Sequence, residues 1–194
     1  MKKIILLLLL LTNYQSYCQT EKNICRVNKS AGKLVFWNAE PIQEYEIAFS
    51  FENMIPNMNC LGPSQVTSAT VQNANYEAGL QSRLYDAIIF TAGVPRSIAI
   101  IFKDKTKDIS LGRTKRITGK LVFIESEPIA EYEMVNQYDV NMNGRVAWTG
   151  HCATHGERID KLLRLSFKDE KKHQFDGVIF TTQKKDFSIK FKQE

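Results

Sequence analysis

His151, Cys152 and His155 lie together in the run HCATH, the one place in the chain where metal-ligating side chains cluster. Imidazole and thiolate suit zinc or copper. On a helix, His151 and His155 would sit one turn apart on a single face. Gly150 and Gly156 flank the run and point to a loop, where that spacing fixes no geometry. A further ligand would have to come from a distance, from Cys60 or His173. These residues support one reading, a periplasmic metal-binding protein.

A second candidate occurs twice. Glu40-Pro41-Ile42-Gln43-Glu44-Tyr45-Glu46 returns as Glu127-Pro128-Ile129-Ala130-Glu131-Tyr132-Glu133. Carboxylates at that density can hold a cation or serve as general acid and base. Glu44 and Glu131 are therefore the candidates for a hydrolase-like enzyme of unrecognised type. The competing reading is structural: a tight proline turn between two strands, with the tyrosine inward and the glutamates outward by two-residue alternation. No GxSxG, HExxH, phosphate-binding glycine loop or calcium loop accompanies them. Trp148, in the loop GRVAWTG, is a candidate contact residue, because loops carry recognition on a rigid scaffold. Trp37 reads as core, since its counterpart is Ile124. Asp86 and Asp176 each precede an apolar strand and read as residues that bond backbone N–H groups.

These residues must be positioned by a framework that the chain spells out twice. GKLVFWNAEPIQEYE (Gly32 to Glu46) and GKLVFIESEPIAEYE (Gly119 to Glu133) agree at eleven of fifteen positions, at a constant offset of 87. LYDAIIFT and QFDGVIFT, then IAIIFK and FSIKFK, extend the match downstream. Self-similarity of this kind marks a duplicated unit. In the second copy, Lys120 to Ile124 and Glu131 to Val140 read as strands of a hairpin around Pro128. Glu157 to Lys168, with Ile159, Leu162, Leu163 and Phe167, reads as an amphipathic helix. Gly177 to Thr181 and Phe187 to Lys192 complete the unit as strands. The first copy follows with Lys33 to Trp37, Tyr45 to Phe51, a helix opened by Ser64, then Ala87 to Thr91 and Ile98 to Phe102. Ile24 to Val27 and Ile109 to Leu111 form leading strands. The expected fold class is α+β: two tandem strand-strand-helix-strand-strand units, residues 19–105 and 119–194, joined by a linker at 106–118 and packed about a pseudo-twofold.

Residues 1–18 read as a signal peptide: Lys2 and Lys3, the apolar run Ile4 to Leu11, then TNYQSYC. Cleavage is expected near Cys18–Gln19, which makes the chain exported, periplasmic or secreted. Nothing beyond residue 18 is apolar for long enough to span a bilayer. Cys18 sits where a lipoprotein cysteine would, although Tyr17 fits that motif badly. Outer-membrane association follows only if Cys18 carries lipid. With 26 basic and 21 acidic residues the net charge is +5, and +3 without Lys2 and Lys3. The basic residues alternate with acids, which argues against a nucleic-acid partner. Cys25, Cys60 and Cys152 remain after cleavage; any one pair could be bridged in an oxidising compartment, or none.

The order of Glu-Pro pair, Tyr-Glu pair, helix and Asp-(Ala/Gly)-X-Ile-Phe strand resembles small exported tandem-repeat α+β proteins of Bacteroidota-type bacteria. Glu40–Pro41, Tyr45–Glu46 and Asp86 to Phe90 carry it, then Glu127–Pro128, Tyr132–Glu133 and Asp176 to Phe180; Gln19, just after the expected cleavage point, agrees. The resemblance brings no activity and no site residues with it. The leading expectation is an exported, non-enzymatic binding or interaction protein for an unknown protein or small ligand, without a resident cofactor.

Overall fold

The computed structural model describes residues 22–53, 61–90, 96–140, 154–170, 172–181 and 186–193. In the first half the elements are β1 (Ile24–Val27), β2 (Lys29–Ser30), β3 (Lys33–Trp37), β4 (Ala39–Pro41), β5 (Tyr45–Glu52), α1 (Pro63–Gln81), β6 (Ala87–Phe90) and β7 (Arg96–Phe102). The second half carries β8 (Leu111–Thr114), β9 (Arg116–Ile117), β10 (Lys120–Ile124), β11 (Ser126–Pro128), β12 (Tyr132–Tyr138), α2 (His155–Asp169), β13 (Gly177–Phe180) and β14 (Asp186–Phe191).

The GKLVF runs begin with tight hairpins, β2 to β3 and β9 to β10. Both turn residues have positive φ in each: Ala31 at 46° with Gly32 at 81°, and Thr118 at 49° with Gly119 at 82°. Positive φ at both centres defines the type I′ turn, whose twist matches that of paired antiparallel strands. From there each half builds a five-stranded sheet, in the order β2-β3-β6-β7-β5 and, correspondingly, β9-β10-β13-β14-β12. β3 runs parallel to β6, and β10 parallel to β13. Parallel neighbours need a crossover connection, and α1 and α2 supply it.

A third, four-stranded sheet, β11-β1-β8-β4, draws on both halves. Its centre pairs Cys25 with Gly112, the residue 87 positions later. On the flanks, Pro128 of the second half faces Cys25 of the first, and Pro41 of the first faces Gly112 of the second. The prolines thus lie on edge strands, where a missing N–H breaks no ladder.

These pairings explain why the LVF runs are apolar at every position. Leu34, Phe36, Leu121 and Phe123 point into a core shared with Cys25 and Val27. Val35, Trp37, Val122 and Ile124 alternate to the other side and pack with Val66, Val71, Ile159 and Leu162 of the helices. A strand covered on both faces reads as a continuous hydrophobic run.

The α+β expectation is therefore corrected. The molecule is β-rich, with three sheets and two helices among the described residues, not a balanced pair of strand-strand-helix-strand-strand units. The expected Glu-Pro hairpin is replaced too. After β3 the chain leaves its sheet at Asn38 and adds β4 to the third sheet, and β10 does the same at Glu125. Residues 106–118 carry β8 and β9. Among the described residues no helix is long and apolar enough to cross a membrane.

Candidate functional site

Leaving one sheet for another requires a sharp corner. Asn38 and Glu125, counterparts in the repeat, both turn it with positive φ, 55° and 47°. Each corner faces the beginning of a helix, and between them open two corresponding clefts. The first, about 340 Å³, takes Asn28, Lys29, Ser30, Ser64 and Thr67 from the first half and Glu125, Ser126, Glu127, Thr181 and Phe187 from the second. The second, about 200 Å³, takes Lys115, Ile117, Ile124, Gly156, Ile159 and Asp160 from the second half and Trp37, Asn38, Ala39, Ile89 and Phe90 from the first. The parts match one for one: a two-residue strand, the opening turns of a helix, the corner, and the end of the strand that follows the helix.

The side chains do not match. Ser30 in the first cleft corresponds to Ile117 in the second. Thr67, the fifth residue of α1, corresponds to Ile159, the fifth of α2. At the second cleft's corner Asn38 suits its backbone, because asparagine tolerates the left-handed region. Its Nδ2 donates to the carbonyl oxygens of Val122 (2.8 Å) and Lys115 (3.3 Å). Glu125 occupies the same bend, 7% exposed. An ionised carboxylate has no proton to donate, so this bonding cannot be repeated. The backbone bond is shared by both corners: Asn28 N–H donates to the Glu125 carbonyl at 3.3 Å, as Lys115 N–H does to Asn38 at 2.9 Å. Next to it Ser126 is buried, 2% exposed, and its side chain bonds to the Cys25 thiol. Across the cleft the Thr67 hydroxyl lies 3.3 Å from that of Ser30 and 2.9 Å from the Ser64 carbonyl oxygen.

The helix starts differ as well. α2 is closed by a capping box: Glu157 N–H donates to Thr154 Oγ1 (3.1 Å) and Thr154 N–H to Glu157 Oε2 (2.7 Å). α1 begins after Gly62, whose N–H donates to Gln65 Oε1 at 2.9 Å, with no N-cap side-chain bond and no acidic residue in its first turn.

Behind the corners lies a buried polar group. His155, first residue of α2, packs against Trp37 and Phe180 at ring-centroid distances of 5.1 and 6.3 Å. Burial, reinforced by Arg158, pulls its pKa down to about 4, so the imidazole is neutral at physiological pH. Asp186, whose Oδ1 accepts from Thr181 N–H at 3.2 Å, is pushed the other way, to about 7, by burial in the first place. The Arg158 guanidinium reaches the Leu61 carbonyl at 3.4 Å and links the starts of the two helices.

The residues singled out from the sequence are scattered. His151, Cys152 and Trp148 lie outside the described residues, and so does Cys60. His155 is a core ring, not an open ligand. Among the described residues no group of three or more histidine, cysteine, aspartate or glutamate side chains converges as a metal site would. Glu44 and Glu131 are exposed and 87 residues apart; each pairs with a lysine at a strand end, Lys103 (3.5 Å) and Lys192 (3.0 Å). Of the repeated glutamates only Glu127 lines a cleft. Trp37 is core, 2% exposed. Cys25 is a free thiol, bonded to the Gly112 carbonyl at 3.5 Å. Asp86 and Asp176 hold strand ends, accepting from Phe102 N–H (3.0 Å) and Phe191 N–H (2.9 Å).

Glu125 and Ser126 stand outside the positions that the two repeats share. The signal lies in where they differ. Within the fifteen-residue block the run Trp37-Asn38-Ala39 becomes Ile124-Glu125-Ser126, and all six residues line the two clefts.

No family model, curated protein or solved structure matches this chain.

Proposed function

We propose that this is an exported small-ligand-binding protein, with the first cleft as its binding site. One observation carries the reading: of two matched clefts, one places a buried carboxylate, Glu125, on left-handed backbone. Left-handed φ for a non-glycine residue costs roughly 1 kcal/mol. Such local costs concentrate at functional sites. The other corner shows that Asn fits the same bend and bonds to the backbone. Export rests on the charged start and apolar run of residues 2–11.

The reading is tested by thermal denaturation of the exported chain against a panel of amino acids, sugars, polyamines and nucleosides. The expected result is a dose-dependent rise in Tm with one class, absent in Glu125→Asn. A panel-wide failure, or the same rise in the variant, removes the first cleft as the binding site.

A further inference from the structure

α1 and α2 occupy corresponding places in the two halves, yet their outward faces are made of different residues. α2 carries seven charged residues in fifteen, the pattern of a helix with one side in water. α1 carries one in nineteen, Glu77. Its inner side buries Val66, Val71, Ala74 and Ala78. Its outer side leaves Tyr76 and Leu80 each 65% exposed, one turn apart on a single face. Leu84, just past the helix end, is 85% exposed. The fourteenth residue of each helix is Tyr76 in α1 and Lys168 in α2, and Leu84 corresponds to Gln174. The second half thus shows that these places accept charged or polar residues. Gly79 stands beside Leu80 with open space where a side chain would be. Glycine weakens a helix but lets a second backbone come close. Depletion of charge together with an exposed aromatic and exposed aliphatic side chains is the composition of an interface centre.

We propose that the outer face of α1 binds a second copy of this chain about a twofold axis through Leu80. The bordering charges choose that occupant. Glu77 and Arg83 lie three residues to either side of Leu80. With two α1 helices packed antiparallel about Leu80, Glu77 comes level with Arg83 of the second copy, and Tyr76 with its Leu84. Leu80 then meets its own equivalent, as a residue on the axis of an isologous contact does. Arg83 already donates one N–H to the Ala48 carbonyl, which fixes its side chain beside the helix end. A guanidinium has four further N–H donors for a carboxylate. The face therefore supplies its own complement in both charge and apolar surface. α2, with Lys168 in the place of Tyr76, does not repeat it.

The experiment is sedimentation velocity on the exported chain over a concentration series. Wild type passes from monomer to dimer as concentration rises. Leu80→Lys and Tyr76→Lys, the second giving α1 the residue of α2, each raise the dimer dissociation constant about tenfold or more, the scale of a central contact. Both positions are exposed, so the urea midpoint of each variant stays close to that of wild type. Glu77→Lys weakens the dimer as well, by setting a positive charge level with Arg83 of the second copy. Met134→Lys, at an exposed position on β12, leaves it unchanged. A wild type that stays monomeric at every concentration overturns the proposal, even if it captures a foreign protein through Leu80. So does a dimer indifferent to Leu80→Lys or to Glu77→Lys, or one that Met134→Lys disrupts as strongly.

Discussion

The clefts at Asn38 and at Glu125 share a backbone and differ in their lining. Around Asn38 the cleft is more apolar, with the buried Trp37 Nε1 left without a hydrogen-bond partner among the described residues. The corner residue bonds two carbonyl groups, Ile117 and Ile159 face inward, and Trp37 fills the floor against Phe90 at 4.8 Å. Around Glu125 the same positions hold hydroxyls and a carboxylate, and the adjacent helix start has no acidic residue in its first turn. Duplication thus provides an internal control. What the backbone accepts at the corner is shown by Asn38, and Glu125 departs from it in the same left-handed bend. Stability and function often compete at such positions.

The comparison can be broken hardest on the structural side. Trp37→Ala empties the floor of the second cleft and should destabilise the protein by about 3–5 kcal/mol, read from urea unfolding. Ligand-induced shifts at the first cleft should persist wherever the variant remains folded. A loss below about 1 kcal/mol would mean that Trp37 is not core.

Asn38→Glu puts the first cleft's corner into the second. It removes both side-chain bonds to Lys115 and Val122 and should cost about 1–3 kcal/mol. An unchanged urea midpoint would show that the Asn bonds contribute nothing, and the contrast would lose its reference.

The buried pair behind the corners sharpens the picture through pH. Asp186 has a folded pKa raised from 3.8 to about 7, so the folded state holds a proton that the unfolded chain releases. Its contribution is complete below pH 4 and is lost as pH rises to about 7. His155, lowered from 6.5 to about 4, acts oppositely, adding stability as pH rises through that window. The counterpart of Asp186 is Ser97, which donates to Asn53 Oδ1 at 2.6 Å and does not titrate. Asp186→Asn should therefore remove the falling component and leave stability rising from pH 4 to 6.5. A profile unchanged by the substitution would show that Asp186 does not titrate there.

The smallest effect is expected where the repeated glutamates first drew attention. Glu44→Gln and Glu131→Gln break exposed pairs worth about 1 kcal/mol or less. Neither should alter ligand binding. A binding defect in either would move the site away from the corner.

Much of the framework was legible in the sequence. The strands around LVF, DAIIF and DGVIF follow from apolar runs bounded by turn signals. α2 follows from the spacing of Ile159, Leu162 and Leu163, with its start displaced to His155 because Thr154 and Glu157 form the cap. The third sheet was not legible. β4 and β11 are three-residue strands containing proline, which reads locally as a turn; only pairing across the halves makes them strands. α1 was faint because Val71, Ala74 and Ala78 bury a narrow face while Tyr76 and Leu80 are exposed. His155 looked like a ligand because imidazole chemistry is visible in sequence and burial is not. Glu125 looked like one acid among many, since its burial depends on a sheet that sequence did not announce.

The most direct test of the account is the pair of wild type and Glu125→Asn, compared by urea unfolding and by ligand-induced thermal shift over the same compound panel. The account predicts a variant more stable by about 1 kcal/mol, because Asn accepts the left-handed bend and can donate to backbone carbonyls, and that no longer responds to the compound class that shifts the wild type. A less stable variant with its ligand response intact would show that Glu125 serves the fold, and would contradict the account.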